Sequence, residues 1–289
     1  LTKKIESICE KNKNAILFGC NSEYFYQLIP LLPSEIKCMD LIHAFVHKYE
    51  PGPEKWSLPL ASRLNKRIVI NEKTKIDFEK LYLSNNIDYK YLSRIICIPN
   101  FVEHKQYIVK EKKSKLKILY VGRGTPEKRV YLIAQIAYEL IKNNVNVEFH
   151  FAGNVKDAIP EKYLSYCILH GEIVDEKMME KIYSDSQILI MTSSREGFPM
   201  VIMEAMMQSV VPISTNVGGI SEHIINKVNG ILINDIEENE IVSDCVKAIE
   251  YFKLNQNDLA EMSINAHKYA LTHFDKKYFV ESYKKILDN

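Results

Sequence analysis

The stretch ILIMTSSREGFPMVIMEAMMQ (188–208) decides how this chain folds. ILIMTS (188–193) is continuously apolar at its start and reads as a strand buried on both faces, while MVIMEAMMQ (200–208) reads as a helix. Between them lies the loop Ser193 to Pro199. A proline beside the first helical position needs no partner for its missing N–H, and the free amides that follow it point at the strand edge. From Met200 to Met207 only Glu204 is not apolar, so this helix is buried nearly all round. Its single carboxylate must reach a cavity that offers hydrogen-bond donors, such as ribose hydroxyls, or snorkel to the rim.

Working outward, the same alternation recurs. LKILYVG (116–122), VEFHFAG (147–153), CILHG (167–171), VVPIST (210–215) and GILI (230–233) read as strands, with helical patterns over 130–142, 175–184, 200–208 and 221–226. Nearly continuous apolar strands separated by helices predict a parallel sheet covered on both faces, a doubly wound α/β domain. Three more helices follow near 238–253, 257–272 and 275–287. The first hundred residues repeat the design on a smaller scale, with strands at 15–19, 38–45, 67–71 and 94–99 and helical patterns at 23–32, 56–65 and 73–84. Residues 1–15 read as alternating charge and polarity without a signal-peptide core. The turn at Pro99 and Asn100 and the charged run 110–117 predict the hinge. The expected organisation is therefore a first domain over 1–109, a second over 110–273, and a closing helix in 274–289 that returns to the first.

Composition sets limits on function. The chain has 289 residues, 46% apolar and 26% charged, which excludes disorder and predicts two globular domains. A net charge of +1 gives no general attraction to nucleic acid. The charge is uneven, however: residues 1–115 carry 20 basic and 13 acidic side chains, and the remainder 18 and 24. The basic first domain suits an anionic membrane surface or a phosphorylated acceptor, and equally describes a solvated lysine-rich face. Six scattered cysteines with no CxxC pair fit a reducing cytoplasm and suggest neither zinc nor a disulfide framework. No apolar run approaches the length of a membrane span. The expected location is cytoplasmic, with peripheral contact at the inner face of the membrane through the basic domain.

In open α/β sheets ligands bind beyond the carboxyl ends of the strands, so the loops there are the candidates. After β-like LKILYV come Gly122, Arg123 and Gly124, then Lys128 and Arg129; two glycines and three cations at a helix opening suit phosphate oxygens, or form a solvated basic loop. No third glycine completes a dinucleotide fingerprint. Glu196 lies eight residues before Glu204, at the mouth of the apolar helix, so two carboxylates could grip opposite ends of one ligand. Gly218 and Gly219 mark another strand-to-helix junction, or a plain chain reversal. His43 and His47 on one strand would stand roughly 13 Å apart, too far to share a metal. His43, near a strand end, could face substrate or be a satisfied structural histidine. Neither a GxSxG elbow nor a catalytic-cysteine signature is present.

The run GRGTPEKR (122–129), then EGFPMVIMEAM (196–206) and TNVGGISEHI (215–224), together resemble the nucleotide-binding domain of group 1 (family 4) retaining glycosyltransferases of the GT-B fold, with Glu196 and Glu204 matching the E-x7-E motif. The resemblance spans about 115–275, and IPNFVE (98–103) is similar to the interdomain segment. It implies a GT-B-like α/β fold of two Rossmann-like domains with parallel sheets, the N-terminal one short or truncated. It further implies transfer of a sugar, with retention, from a nucleotide diphosphate sugar to a glycan or lipid-linked acceptor, without metal or cofactor. By the same resemblance Arg123 and Lys128 would bind the diphosphate, Glu196 the sugar hydroxyls and Glu204 the ribose. Gly122, Gly124, Gly197, Phe198, Met200 and Val201 would face phosphate or sugar, Gly171 and Ile173 the base, and His43 the acceptor side. Phe101 and Ser209 occupy positions where the family usually has glycine, and no glycine-rich loop opens the first domain. A non-catalytic nucleotide-sugar-binding module or partner subunit is the alternative expectation.

Overall fold

The structure is a computed structural model that describes residues 1–12, 14–45, 52–110, 114–234 and 237–287; His47 lies outside them. Contacts within the chain group Leu1–Pro99 with Ser282–Asn289 as one compact unit and Asn100–Glu281 as a second.

The first unit is built on a parallel sheet of β1 (Ile16–Cys20), β2 (Lys37–Ile42), β3 (Leu64–Val69) and β4 (Ile95–Cys97), in that spatial order. Phe25, Ile29, Ile42, Phe45, Phe78 and Tyr82 form the centre of its core. Through that core runs a buried polar pair. Asp40 and Arg67 are register partners on β2 and β3, and Arg67 Nη2 lies 2.6 Å from Asp40 Oδ2, with side-chain exposures of 1% and 0%. Tyr26 donates to the same carboxylate at 3.0 Å, Arg67 Nη1 donates to Tyr82 OH at 3.0 Å, and the guanidinium stacks 4.2 Å above the Phe78 ring. Every charge is thus met, which a buried ion pair requires to persist.

The second unit carries β5 (Leu116–Val121), β6 (Val147–Ala152), β7 (Cys167–Gly171), β8 (Ile188–Met191), β9 (Val211–Thr215) and β10 (Ile231–Ile233). All neighbours are parallel and the order is β10-β9-β8-β5-β6-β7. The chain therefore runs outward from β5 to β7, returns to pair β8 with β5, and continues the other way. That reversal opens a crevice between the carboxyl ends of β5 and β8, the place where a doubly wound sheet accepts ligands. Ile118, Tyr120, Phe149 and Ile190 face one helical layer, which includes Val130–Lys142 and Glu238–Leu254; Leu119, Leu189 and Met191 face the other, which includes Met200–Met207 and Gln256–His273.

The helix predicted over 130–142 forms as Val130–Lys142, and the apolar helix as Met200–Met207 with Ile202, Met203, Ala205, Met206 and Met207 buried. Four expectations need correction, and one helix forms where none was read. Residues 56–65 are not a helix: Pro59 interrupts the pattern, short helical turns cover Pro53–Trp56 and Leu58–Leu60, and Leu64 already belongs to β3. At the register shift between Cys38 and Met39, Asn65 Oδ1 accepts the Cys38 N–H at 2.8 Å, which draws this segment into the sheet. β2 ends at Ile42, short of the predicted 45, and β3 ends at Val69 rather than 71. The pattern at 221–226 shortens to Ile220–His223. Finally, Thr2–Lys11 is a helix whose Ile5 and Cys9, four residues apart, pack on the core, a sparse periodicity hidden among charges. No helix among the described residues is long and apolar enough to cross a membrane.

Candidate functional site

The loops after β5 and β8 are tied to each other by backbone-directed bonds. Arg129 adopts a left-handed conformation at φ 47° and sends its guanidinium across the crevice, where Nε donates to the Thr192 carbonyl at 2.6 Å and Nη2 to the Ser193 carbonyl at 3.0 Å. Thr192 Oγ1 returns a bond to the Arg129 carbonyl at 3.0 Å, and the Ser194 N–H donates to the Glu127 carbonyl at 2.8 Å. Arg129 is thus a structural clamp, and its neighbour Lys128 faces the other way. Lys128 Nζ lies 2.6 Å from Glu196 Oε1, with side-chain exposures of 19% and 9%.

The third loop closes on this pair through glycine. Gly218 has φ +60°, and a Cβ there would stand 1.9 Å from the Glu196 carbonyl oxygen, so only glycine lets the chain pass. Next to it the Gly219 N–H donates to the Gly197 carbonyl at 2.7 Å. The turn that read as either ligand contact or chain reversal is therefore what presses Glu196 into place. Gly153 plays the same part behind the β5 loop: at φ +125°, its Cβ would sit 1.9 Å from the Gly122 carbonyl oxygen.

Two cavities adjoin. One, of about 630 Å³, is lined by Gly122, Arg123, Gly124, Thr125, Gly153 and Ile173, among others. The other, of about 530 Å³, is lined by Glu204 and Tyr183 within a mainly apolar wall that includes Val102, Met200 and Met207. Met179 lines both. Arg123 is exposed, and its carbonyl accepts the Tyr120 hydroxyl at 2.8 Å. Burial, then the Glu196 and Glu127 carboxylates, raise the Tyr120 hydroxyl above its usual range and keep it a donor. Burial also acts to raise Glu127, but the Thr125 hydroxyl bonded to it at 2.7 Å, with Lys128 and Arg195 nearby, leaves its carboxyl below the ordinary value.

Met200 and Val201 open the apolar helix behind Pro199, with no side chain capping that end. The Phe198 ring is buried, 4.2 Å from His223 and 5.6 Å from Phe274, so its backbone is what it presents to the crevice side of the loop. Gly171, at the end of β7, accepts the Gly153 N–H at 2.7 Å. His43 belongs to the first unit, just past β2, where its Nδ1 lies 2.9 Å from Asn21 Nδ2 and 3.7 Å from Cys20 Sγ, and burial lowers its imidazole below the usual value. Ser209 keeps φ 62° without being glycine. Phe101 packs on Phe279 at 4.8 Å, beneath Lys276. Among the described residues, no cluster of three or more His, Cys, Asp or Glu side chains could hold a metal ion.

The structure thus brings Gly122, Arg123, Gly124 and Ile173 to one cavity, Met200 and Glu204 to its neighbour, and Lys128 and Glu196 into direct contact. Sequence reasoning missed Tyr183 and Met179, which stand on the helix Glu176–Asp185 four residues apart. Their spacing marks the packed face of that helix, but not the fact that the face reaches the crevice.

Comparison with known proteins places these features. Residues 115–250 match the family model described as glycosyl transferases group 1, which takes in every motif around the crevice. The poly(ribitol-phosphate) α-N-acetylglucosaminyltransferase of Staphylococcus aureus is 24% identical over 254 residues, 82% of this chain and 46% of its own length. The chain spans about half the length of the curated relatives it matches. Among solved structures, TarM superposes with a TM-score of 0.77 at 21% identity, covering 94% of this chain and 54% of TarM. Anabaena HepE, solved in complex with UDP-glucose, superposes with a TM-score of 0.75 at 13% identity, covering 100% and 82%. At these identities the likeness establishes architecture: two parallel-sheet α/β domains of the GT-B type.

Proposed function

We propose that the chain is the catalytic part of a glycosyltransferase that moves a sugar from a nucleotide diphosphate sugar to a glycan or lipid-linked acceptor, with retention, as in family 4. The observation that carries this reading is the Lys128–Glu196 contact at the β5/β8 reversal, inside the segment matched by the group 1 family model. An ammonium has three donors; Glu196 takes one, leaving two for diphosphate oxygens. Arg123 and the amides at Met200 and Val201 supply further positive field to the same anion. Glu196, fixed by the Gly218 and Gly219 turn, accepts hydroxyls of the donor sugar, and Glu204 accepts those of the ribose. Gly171 and Ile173 border the base. His43 serves the acceptor side.

In this reading catalysis is electrostatic and positional. The bond from the anomeric carbon to the diphosphate oxygen breaks while Arg123 and Lys128 stabilise the growing charge on that oxygen. The acceptor hydroxyl attacks from the same face and passes its proton to the leaving oxygen. No divalent ion or cofactor takes part, because the cationic side chains neutralise the diphosphate. Of the proteins compared, HepE was solved with UDP-glucose and TarM with UDP, which makes UDP-sugars the first donors to try. The basic first 115 residues suit an anionic acceptor or membrane surface reached from the cytoplasm.

The test is a thermal-shift screen of UDP-, GDP- and ADP-sugars, since a ligand bound only by the folded state raises the melting temperature, followed by NMR of product formed with acceptor in EDTA. The expected result is a shift by one nucleotide class and a product that keeps the donor's anomeric configuration. An inverted product would overturn retention, loss of turnover in EDTA would overturn metal independence, and no shift with any donor would overturn the reading itself.

A further inference from the structure

Tyr183 is a buried tyrosine whose hydroxyl has a specific partner. Its side chain is 1% exposed and packs in the apolar layer with Leu119, Leu189 and Met203, where phenylalanine would serve equally well for packing. The hydroxyl instead donates to Glu204 Oε2 at 2.7 Å. The other carboxylate oxygen, Oε1, has no protein partner among the described residues, and Glu204 lines the 530 Å³ cavity. Anchoring extends to the backbone: Lys110 Nζ donates to the carbonyls of Tyr183 at 3.1 Å and Ser184 at 2.8 Å, which holds the end of the helix carrying the tyrosine.

A carboxylate on a two-carbon stem has several rotatable bonds and two equivalent oxygens. Fixing one oxygen sets the plane of the group and leaves the second with its lone pairs directed along a constant line, so a ligand that meets it loses less freedom on binding. The donor has to be a neutral hydroxyl. A cation in its place would neutralise Glu204 and weaken its hold on ligand hydroxyls. Burial, reinforced by the Glu204 charge, raises the Tyr183 hydroxyl well above its usual range, so it remains a donor.

Resting on the proposed role of Glu204 as the ribose acceptor, we infer that Tyr183 is a positioning residue that orients Glu204 Oε1 toward the vicinal hydroxyls of the nucleoside. Its side chain lines the same cavity but is 1% exposed, and its effect on the ligand runs through Glu204. Its contribution belongs to the nucleoside half of the donor and leaves the diphosphate half untouched.

Calorimetry on the full chain with UDP, GDP and ADP, and separately with inorganic pyrophosphate, tests this in the wild type, Tyr183→Phe, Glu204→Gln and the double variant. Tyr183→Phe is expected to weaken the preferred nucleoside diphosphate roughly 5- to 20-fold, to leave pyrophosphate unchanged, and to add nothing once Glu204→Gln is present. Equal weakening of both ligands would mean a structural role and overturn the inference. If Glu204→Gln weakens the nucleotide and Tyr183→Phe does not, positioning by Tyr183 is wrong while the ribose reading stands. If neither variant changes nucleotide affinity, or no nucleotide binds, the ribose reading falls and the inference with it.

Discussion

Replacing Lys128 by alanine removes the cation that the proposed reading assigns to the diphosphate and strands the Glu196 carboxylate it balances. On the ligand side, a charge-assisted hydrogen bond to the diphosphate is lost, which costs about 1.5–3 kcal/mol, or roughly 10- to 150-fold in affinity. On the protein side, Glu196 loses its partner at 2.6 Å while its side chain stays only 9% exposed. An unpaired carboxylate so nearly buried destabilises the fold by about 1–3 kcal/mol, and it also repels the incoming anion. The two effects separate in the double variant Lys128→Ala/Glu196→Gln, which removes the stranded charge: folding stability should return toward wild type while affinity for inorganic pyrophosphate stays low. Calorimetry with pyrophosphate and urea unfolding of the three proteins give both numbers. Pyrophosphate affinity unchanged in Lys128→Ala, or a double variant no more stable than the single one, would refute the reasoning.

Three other outcomes follow from the geometry. Gly218→Ala places a methyl 1.9 Å from the Glu196 carbonyl in a left-handed conformation, so it should lower stability by about 1–3 kcal/mol or more and weaken nucleotide binding together, read by melting temperature and calorimetry. Asp40→Asn leaves the buried Arg67 charge without its counter-ion and should cost about 3–5 kcal/mol in the first unit, whereas replacing both members by apolar residues should cost far less. His223 is lowered to about 4 by burial, with His273 adding to the effect, against 6.5 when unperturbed. Its neutral form is favoured in the fold, so its contribution is complete above pH 6.5 and is lost as pH falls from 6.5 toward 4. The loss is about 3 kcal/mol, and His223→Leu should flatten that acid limb in urea titrations.

Much of the second unit was legible because most of its strands are nearly continuously apolar and its helices one-sided: LKILYVG reads as a strand and 130–142 as a helix, and both form. The loops around Lys128 and Glu196 were legible for a related reason, since parallel topology forces them to the same edge. The first unit was harder. Its segment 56–65 carries enough apolar residues for a helix, and Pro59 together with the sheet's claim on Leu64 and Asn65 decides otherwise. Within the site, periodicity could not distinguish Arg129, which bonds carbonyls across the crevice, from Lys128 beside it, because the difference rests on one left-handed backbone angle. The family resemblance put Phe198 at the ligand without saying where its ring would go, and the ring packs in the layer of His223 and Phe274. Tyr183 was invisible for want of any local signal, as its partner Glu204 is 21 residues away.

Hydrogen–deuterium exchange of the full chain, with and without a saturating nucleoside diphosphate, tests most directly whether the crevice between β5 and β8 is where the donor binds. Slowed exchange confined to 122–129, 193–204 and 171–174 is the predicted result. Binding that protects other segments and leaves the Lys128 and Glu196 loops unchanged would contradict the account.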